Sequence, residues 1–329
     1  MSENTKSNRK NPKLATLGVD DTLGAGDSSL VLDVLPQDLA DLAFANMRKE
    51  VKWNTMFHRG GEVPRLVAVE GDVDTDGRYF STSYMFFVSN AKLSCDCSFP
   101  IYRHPADSSP PLLPFSPTVN KIRSHVQNVL QHAVNHVLIQ LYRSGADYIS
   151  EHSDKTIDVV KGSNIVNVSL GARRTMTLRM KKDRARLLPG AETDTPRPSQ
   201  RIPLPHNSMF VMGPDTNKEW LHGINHDKRP LNQKDEDERF ENGERISLTF
   251  RHIGTFLDKD STMIYGQGAK GKKKEDMRPV VNGTQEAADL LEAFGKENSQ
   301  SDFDWDGTYG AGFDVLHFSD RDHEPEVLI

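Results

Sequence analysis

Between Val119 and Val134 the apolar side chains Val119, Ile122, Val126, Val129, Leu130 and Ala133 recur at helical spacing and predict one buried stripe. An earlier helix is predicted over Pro36 to Trp53, where proline suits the first turn and Leu39, Leu42, Ala43 and Met47 share a face. Then the period changes. Segments 136–142, 148–153, 164–170, 174–180, 208–212 and 245–251 are short, rich in Val, Ile, Leu, Phe and Thr, and bounded by turn residues. Val63 to Val69 reads as a further strand, Gly71 to Gly77 as a loop, and residues 103–117, with five prolines, as an extended connector. Two helices followed by closely spaced strands predict an α+β fold: a double-stranded β-helix (jelly-roll) core with supporting N-terminal helices.

Polar stretches divide the chain further. Residues 1–28 read as a disordered leader, 29–256 as the folded domain, and 257–329 as a C-terminal extension. The Asp183 to Gln200 insert reads as an exposed hairpin loop, and Asn232 to Gly243 as a solvated loop. Lys270 to Lys274 reads as a solvated linker without the aromatics of a nucleic-acid patch. A helix is predicted from a Thr284 cap, with Ala287, Leu290, Leu291 and Phe294 on one face and Gly295 as its stop. The aromatic run from Phe303 to Phe318 is predicted to fold back on the core, with Leu316 and Phe318 at the mouth of the site. On that reading, loss of the chain after Gly295 alters turnover and spares metal binding.

Composition removes several function classes. No apolar run approaches the ~20 residues of a membrane helix, and the polar Met1 to Asn11 lacks the apolar stretch of a signal peptide. Cys95 and Cys97 are too few for a disulfide framework or a structural zinc, which points to a cytoplasmic setting, or a nuclear one. The formal net charge of -6 argues against a broad nucleic-acid face.

The candidate chemistry lies in the strand segments. His152 and Asp154 are two apart, so on a strand they face the same way. With His222, in Trp220-Leu221-His222-Gly223, they supply two imidazoles and a carboxylate, a set that binds one face of Fe(II) and leaves the other open. Taken singly, each has a plainer reading: a loop histidine paired with Asp154, and a core histidine. In 245–251, Ile246, Leu248 and Phe250 alternate with Arg245, Ser247, Thr249 and Arg251. Inward-facing arginines need anions, and the six-residue interval spans about 20 Å, within reach of a five-carbon diacid between them. Two surface arginines on an edge strand are the alternative. Tyr142 offers a hydroxyl to a carboxylate, or is simply a core tyrosine.

As an ordered set, residues 64–254 resemble the AlkB-type Fe(II)/2-oxoglutarate dioxygenases. The shared landmarks are Pro64-Arg65, Gly71-Asp72, Tyr142, Gly145, His152-Ser153-Asp154, Ser169-Leu170-Gly171-Ala172, Ile202 to Asn207, Trp220-Leu221-His222 and Arg245 to Arg251. The resemblance implies Fe(II) on His152, Asp154 and His222, with 2-oxoglutarate and O2 as co-substrates. It also implies Arg245 on the distal carboxylate, Arg251 on the carboxylate beside the keto group, and Tyr142 as an auxiliary contact. Two positions depart from the family pattern. Gln140 stands where an asparagine contacts the co-substrate, and Lys155-Thr156 stands where base-repairing members carry acidic residues. The expected substrate is therefore a small molecule, an amino acid or biosynthetic intermediate, oxidised at C–H by hydroxylation, desaturation or ring closure with release of succinate and CO2. The C-terminal segment resembles that of fungal AlkB-like oxygenases of specialised metabolism. The alternatives are demethylation of N-alkylated DNA or RNA bases, and a binding module that retains the fold without the activity.

Overall fold

The alternation along 245–251 organises the structure, a computed structural model describing residues 16–58, 61–73, 98–105, 109–190, 195–283 and 285–316. Strand β14 (Arg245–Arg251) lies between β7 (His136–Tyr142) and β9 (Ile165–Gly171), antiparallel to both. On the β9 side the sheet extends to β12 (Ser208–Met212) and β1 (Ser29–Leu32). On the β7 side it extends to β4 (Leu66–Gly71) and β6 (Leu112–Pro114), making seven strands. The second sheet has the order β11 (Ser199–Leu204), β10 (Arg174–Met180), β13 (Trp220–Ile224), β8 (Ile149–His152). Together they form the jelly-roll core.

Each face of the larger sheet has its own reason to be covered. Val137, Ile139 and Leu141 of β7, Val166, Val168 and Leu170 of β9, and Ile246, Leu248 and Phe250 of β14 point the same way. They pack on Ala40, Ala43, Phe44 and Met47 of α1 (Gln37–Glu50) and on Val119, Ile122 and Val126 of α2 (Pro117–Leu130). Burial of each such aliphatic or aromatic side chain contributes ~1.5–3 kcal/mol, which holds the two helices on the sheet. The other face meets the four-stranded sheet, where Tyr142 and Phe210 join Met176, Leu178, Ile202 and Trp220.

The helix stripes were overdrawn in two places. Leu42 and Val129 are exposed, and α2 ends at Leu130, where Gln131 turns left-handed (φ 58°). Smaller sheets complete the molecule. One is the hairpin β2 (Phe57–His58) and β3 (Gly61–Glu62); the other has the order β17 (Arg278–Pro279), β16 (Met263–Gly266), β15 (Thr255–Leu257), β5 (Phe99–Pro100).

Several polar stretches expected to be loose are built in. Within the predicted leader, Leu23 is fully buried, and the Asp27 carboxylate accepts N–H groups of Asp215 and Thr216 at the start of α4 (Pro214–Glu219). The Gly, Asp and Ser of this stretch make turns rather than disorder; residues 1–15 lie outside the described residues. The 183–200 insert is a hairpin loop as expected, since β10 and β11 pair antiparallel up to Arg179 opposite Ser199, but it opens on a short helix, α3 (Lys182–Arg186). Residues 232–243 form consecutive 3-10 turns, with an Asp235/Glu238 capping box and Arg229 and Arg173 bound to the acids. Lys270 to Lys274 is a tied turn rather than a linker: Gly266 N–H donates to Gly271 O, and Lys270 N–H to the Asp314 carboxylate.

Helix α5 (Gln285–Ser299) runs four residues past Gly295, because nothing there interrupts it: a Cβ at Gly295 would meet nothing within 4 Å. With α6 (Trp305–Tyr309) it buries Leu290, Phe294, Phe303 and Tyr309 around Ile157. Thr284, Cys95, Cys97, Phe318 and the loop beyond Val73 fall outside the described residues. Among those described, no helix is long and apolar enough to cross a membrane.

Candidate metal centre

His222 and His152 face each other directly across β13 and β8, with ring centroids 4.4 Å apart. A register shift follows immediately between His222 and Ile224. Gly223 occupies it because a Cβ there would come 2.9 Å from Ile149 O and 3.0 Å from Glu151 N. Strand β8 ends at His152. Asp154 therefore reaches the histidines from a loop, not by the strand alternation expected from its spacing. Its Oδ1 lies 3.8 Å from His152 Nε2 and 4.0 Å from His222 Nε2, and one ligand atom from each residue falls within 4.8 Å of the others.

The electrostatics suit a metal. His152 Nδ1 is 2.8 Å from Ser150 O, so its proton sits there and the Nε2 lone pair is free. Burial, then His222 nearby, lowers the His152 pKa to about 3; burial also lowers that of His222. Burial alone would raise the Asp154 carboxyl, but the Arg251 guanidinium bonded to it holds it well below the usual carboxylate range. Two neutral imidazoles and one carboxylate result, the protonation states that ligate a divalent cation.

The polar face of the larger sheet lies alongside. Arg245 stands opposite Tyr142 on β7 and Gly171 on β9, and its guanidinium carbon is 5.3 Å from the Tyr142 ring centre. Its Nη2 donates to Asn167 Oδ1 (3.0 Å) and Ser169 Oγ (2.8 Å), while Nε and Nη1 are buried without a partner among the described residues. Burial pulls Arg245 down to about 10, so it remains a cation at neutral pH. Arg251 donates from Nη2 to Asp154 Oδ2 at 2.9 Å and stacks 4.0 Å from the Tyr102 ring centre; its Nε and Nη1 are likewise unpartnered among the described residues. Both arginines are 2% exposed or less, where an unanswered N–H is costly. Two guanidiniums at opposite ends of one strand, each with free donors, fit a dicarboxylate. The Tyr142 hydroxyl donates to Gln140 Oε1 at 3.2 Å, which keeps both on the same face.

The structure thus brings together His152, Asp154, His222, Arg245, Arg251, Tyr142 and Gln140. It adds Asn167 and Tyr102, which sequence reasoning passed over, and Ser169, which it named only as a family landmark. Asn167 and Ser169 were detectable, since they alternate with Val166, Val168 and Leu170; Tyr102 lies just before the proline-rich connector, where there is no periodic signal. Lys155 and Thr156 are bound into the metal loop itself. Lys155 is 5% exposed, with Nζ on Ser153 O (3.0 Å), and Thr156 is tied to Glu297. Leu316 packs on the Leu257, Ile264 and Ala269 cluster; the part of the C-terminal segment that reaches the metal loop is α5.

Comparison with known proteins agrees with this geometry. Residues 28–251 match the profile of the 2OG-Fe(II) oxygenase superfamily. The chain is 30% identical over 226 residues to the DNA oxidative demethylase ALKBH2 of Homo sapiens, covering 65% of this chain and 69% of that protein. To the Bos taurus protein of the same name it is 28% identical over 221 residues, covering 65% and 64%. To the human alpha-ketoglutarate-dependent dioxygenase alkB homolog 3 it is 26% identical over 141 residues, covering 42% and 43%.

Proposed function

The chain belongs to the 2OG-Fe(II) oxygenase superfamily and is a dioxygenase; from that premise we propose that it removes N-alkyl groups from nucleic-acid bases. The observation that carries the substrate is the 30% identity over 226 residues to a DNA oxidative demethylase. Lys155 and Thr156, which stand where base-repairing members carry acidic residues, are taken up here in bonds that hold the metal loop. The small-molecule expectation gives way to the alternative.

In this reading His152, Asp154 and His222 hold Fe(II). Arg245, beside Tyr142, takes the distal carboxylate of 2-oxoglutarate, and Arg251 takes the carboxylate next to the keto group. Gln140 orients the Tyr142 hydroxyl. Iron, 2-oxoglutarate and O2 together supply the C–H-oxidising chemistry, with succinate and CO2 as co-products. Hydroxylation of an N-methyl carbon leaves N–CH2OH, which loses formaldehyde and restores the base. The base must leave its stack to reach the site, which costs a few kcal/mol. Phosphate contacts offset that cost, and the α3 insert offers them. Lys182, Arg186 and Arg197 line a groove of about 440 Å³. The insert begins just past Met180, two residues beyond the Leu178–His222 pair. A local cationic groove of this kind is compatible with the acidic average charge.

The test uses iron-loaded protein with single- and double-stranded oligonucleotides bearing one N-methylated base. Formaldehyde and succinate in equal amounts are expected, with binding that weakens steeply as salt rises; Asp154→Ala abolishes turnover. The proposal is overturned if no methylated oligonucleotide is bound or demethylated while a metabolite screen releases succinate. That outcome supports a second reading, a small-molecule substrate. It is favoured by a cavity of only about 160 Å³ lined in part by Tyr102, His136 and Leu138, beside the stacked Arg251.

A further inference from the structure

After β8 ends at His152, the next four residues carry the third metal-ligating side chain with no strand partner to hold them. All four backbone N–H groups are instead bound by side chains. Ser153 N–H donates to Asn298 Oδ1 (3.0 Å), Asp154 N–H to Asn217 Oδ1 (2.9 Å), Lys155 N–H to the Tyr102 hydroxyl (3.1 Å) and Thr156 N–H to Glu297 Oε1 (3.0 Å). Two of these four acceptors belong to the last turn of α5, and they flank Asp154 on both sides.

The α5 acceptors are themselves fixed. Tyr309 of α6 donates its hydroxyl to Glu297 Oε2 at 2.9 Å, and Lys181 Nζ donates to Glu297 O at 2.7 Å. Asn298 Oδ1 also receives Lys155 Nζ at 3.3 Å. Ser153, Asp154, Lys155, Lys181, Glu297 and Tyr309 are all 5% exposed or less. A solvated helix end would not require such matching; a buried one requires every donor to be answered. The superfamily match ends at residue 251, so this support comes from chain beyond the matched domain.

We infer that Glu297 and Asn298 are positioning residues for the metal ligand Asp154, and that the C-terminal segment completes the metal site from outside the catalytic domain. The inference rests on the metal-centre reading above. It reverses the expectation that loss of the chain after Gly295 spares metal binding, because Glu297 and Asn298 would be lost with it. Groups that orient a metal ligand typically contribute 10–100-fold in affinity.

The experiment measures Mn(II) affinity of the full chain by anaerobic titration at a temperature well below unfolding, with circular dichroism as the check on folding. Asn298→Ala is expected to weaken binding ~10-fold or more. Asn298→Asp, which keeps the acceptor oxygen, restores most of it. Glu297→Gln keeps the shape but removes the charge beside Lys155, and is expected to weaken binding by a smaller factor. Glu292→Ala, on the exposed side of the same helix, leaves affinity unchanged. Wild-type affinity in folded Asn298→Ala and in Glu297→Gln overturns the inference; should Asn298→Ala not fold, Glu297→Gln decides it alone. Asp154→Ala separates the two readings. If it binds Mn(II) as tightly as the unaltered chain, the metal-centre reading itself has failed; if it abolishes binding while the α5 variants do not, only the positioning role has.

Discussion

Arg245 shows how much one side chain reveals when its burial is known. It is 1% exposed and, among the described residues, bonded from Nη2 only, so the N–H groups of Nε and Nη1 remain for a ligand. Lysine would keep the charge but not the planar fork. Arg245→Lys is therefore expected to raise the KM for 2-oxoglutarate ~10- to 100-fold, the scale of one charge-assisted hydrogen bond at ~1.5–3 kcal/mol. Mn(II) affinity measured without the co-substrate should stay unchanged, and equal losses in both would contradict the assigned role. The His152, Asp154 and His222 cluster was legible in the sequence because metal ligation allows few substitutes. Asn217 and Tyr102 were not legible, since a side chain that binds one backbone N–H leaves no mark in composition or period.

At the scale of elements, the period-2 strands were read almost to the residue, 136–142, 174–180, 208–212 and 245–251 among them. A buried face makes register and ends costly to shift. Helix ends were read less well, because glycine only weakens a helix and tertiary contacts decide whether it continues. Gly295 illustrates this. Helix α5 passes through it to Ser299, and the site is open to a methyl group. Gly295→Ala is expected to stabilise the protein by up to ~1 kcal/mol, a small rise in Tm with metal affinity unchanged. A lower Tm would mean that the helix does not run on past this position.

For the whole molecule, the described parts of both polar stretches, 16–28 and 257–316, become part of the folded unit. Leu23, in the stretch expected to be a disordered leader, is fully buried among residues of both sheets. Leu23→Ala is expected to cost ~2–5 kcal/mol, seen as a clear loss in denaturant midpoint; no change would restore the leader reading for residues 16–28.

By itself the sequence determined the fold class, the two helices and their sheet, and the His152, Asp154 and His222 set that could hold iron, because periodicity and ligand chemistry are local properties. Only the tertiary structure decided that Asp154 is carried by a loop, that Lys155 is buried on Ser153 O and Asn298, and that Glu297 and Asn298 bond that loop. Those contacts join residues about 140 positions apart. Their cause is the need to answer every buried donor, which is met in three dimensions by whichever side chain arrives there.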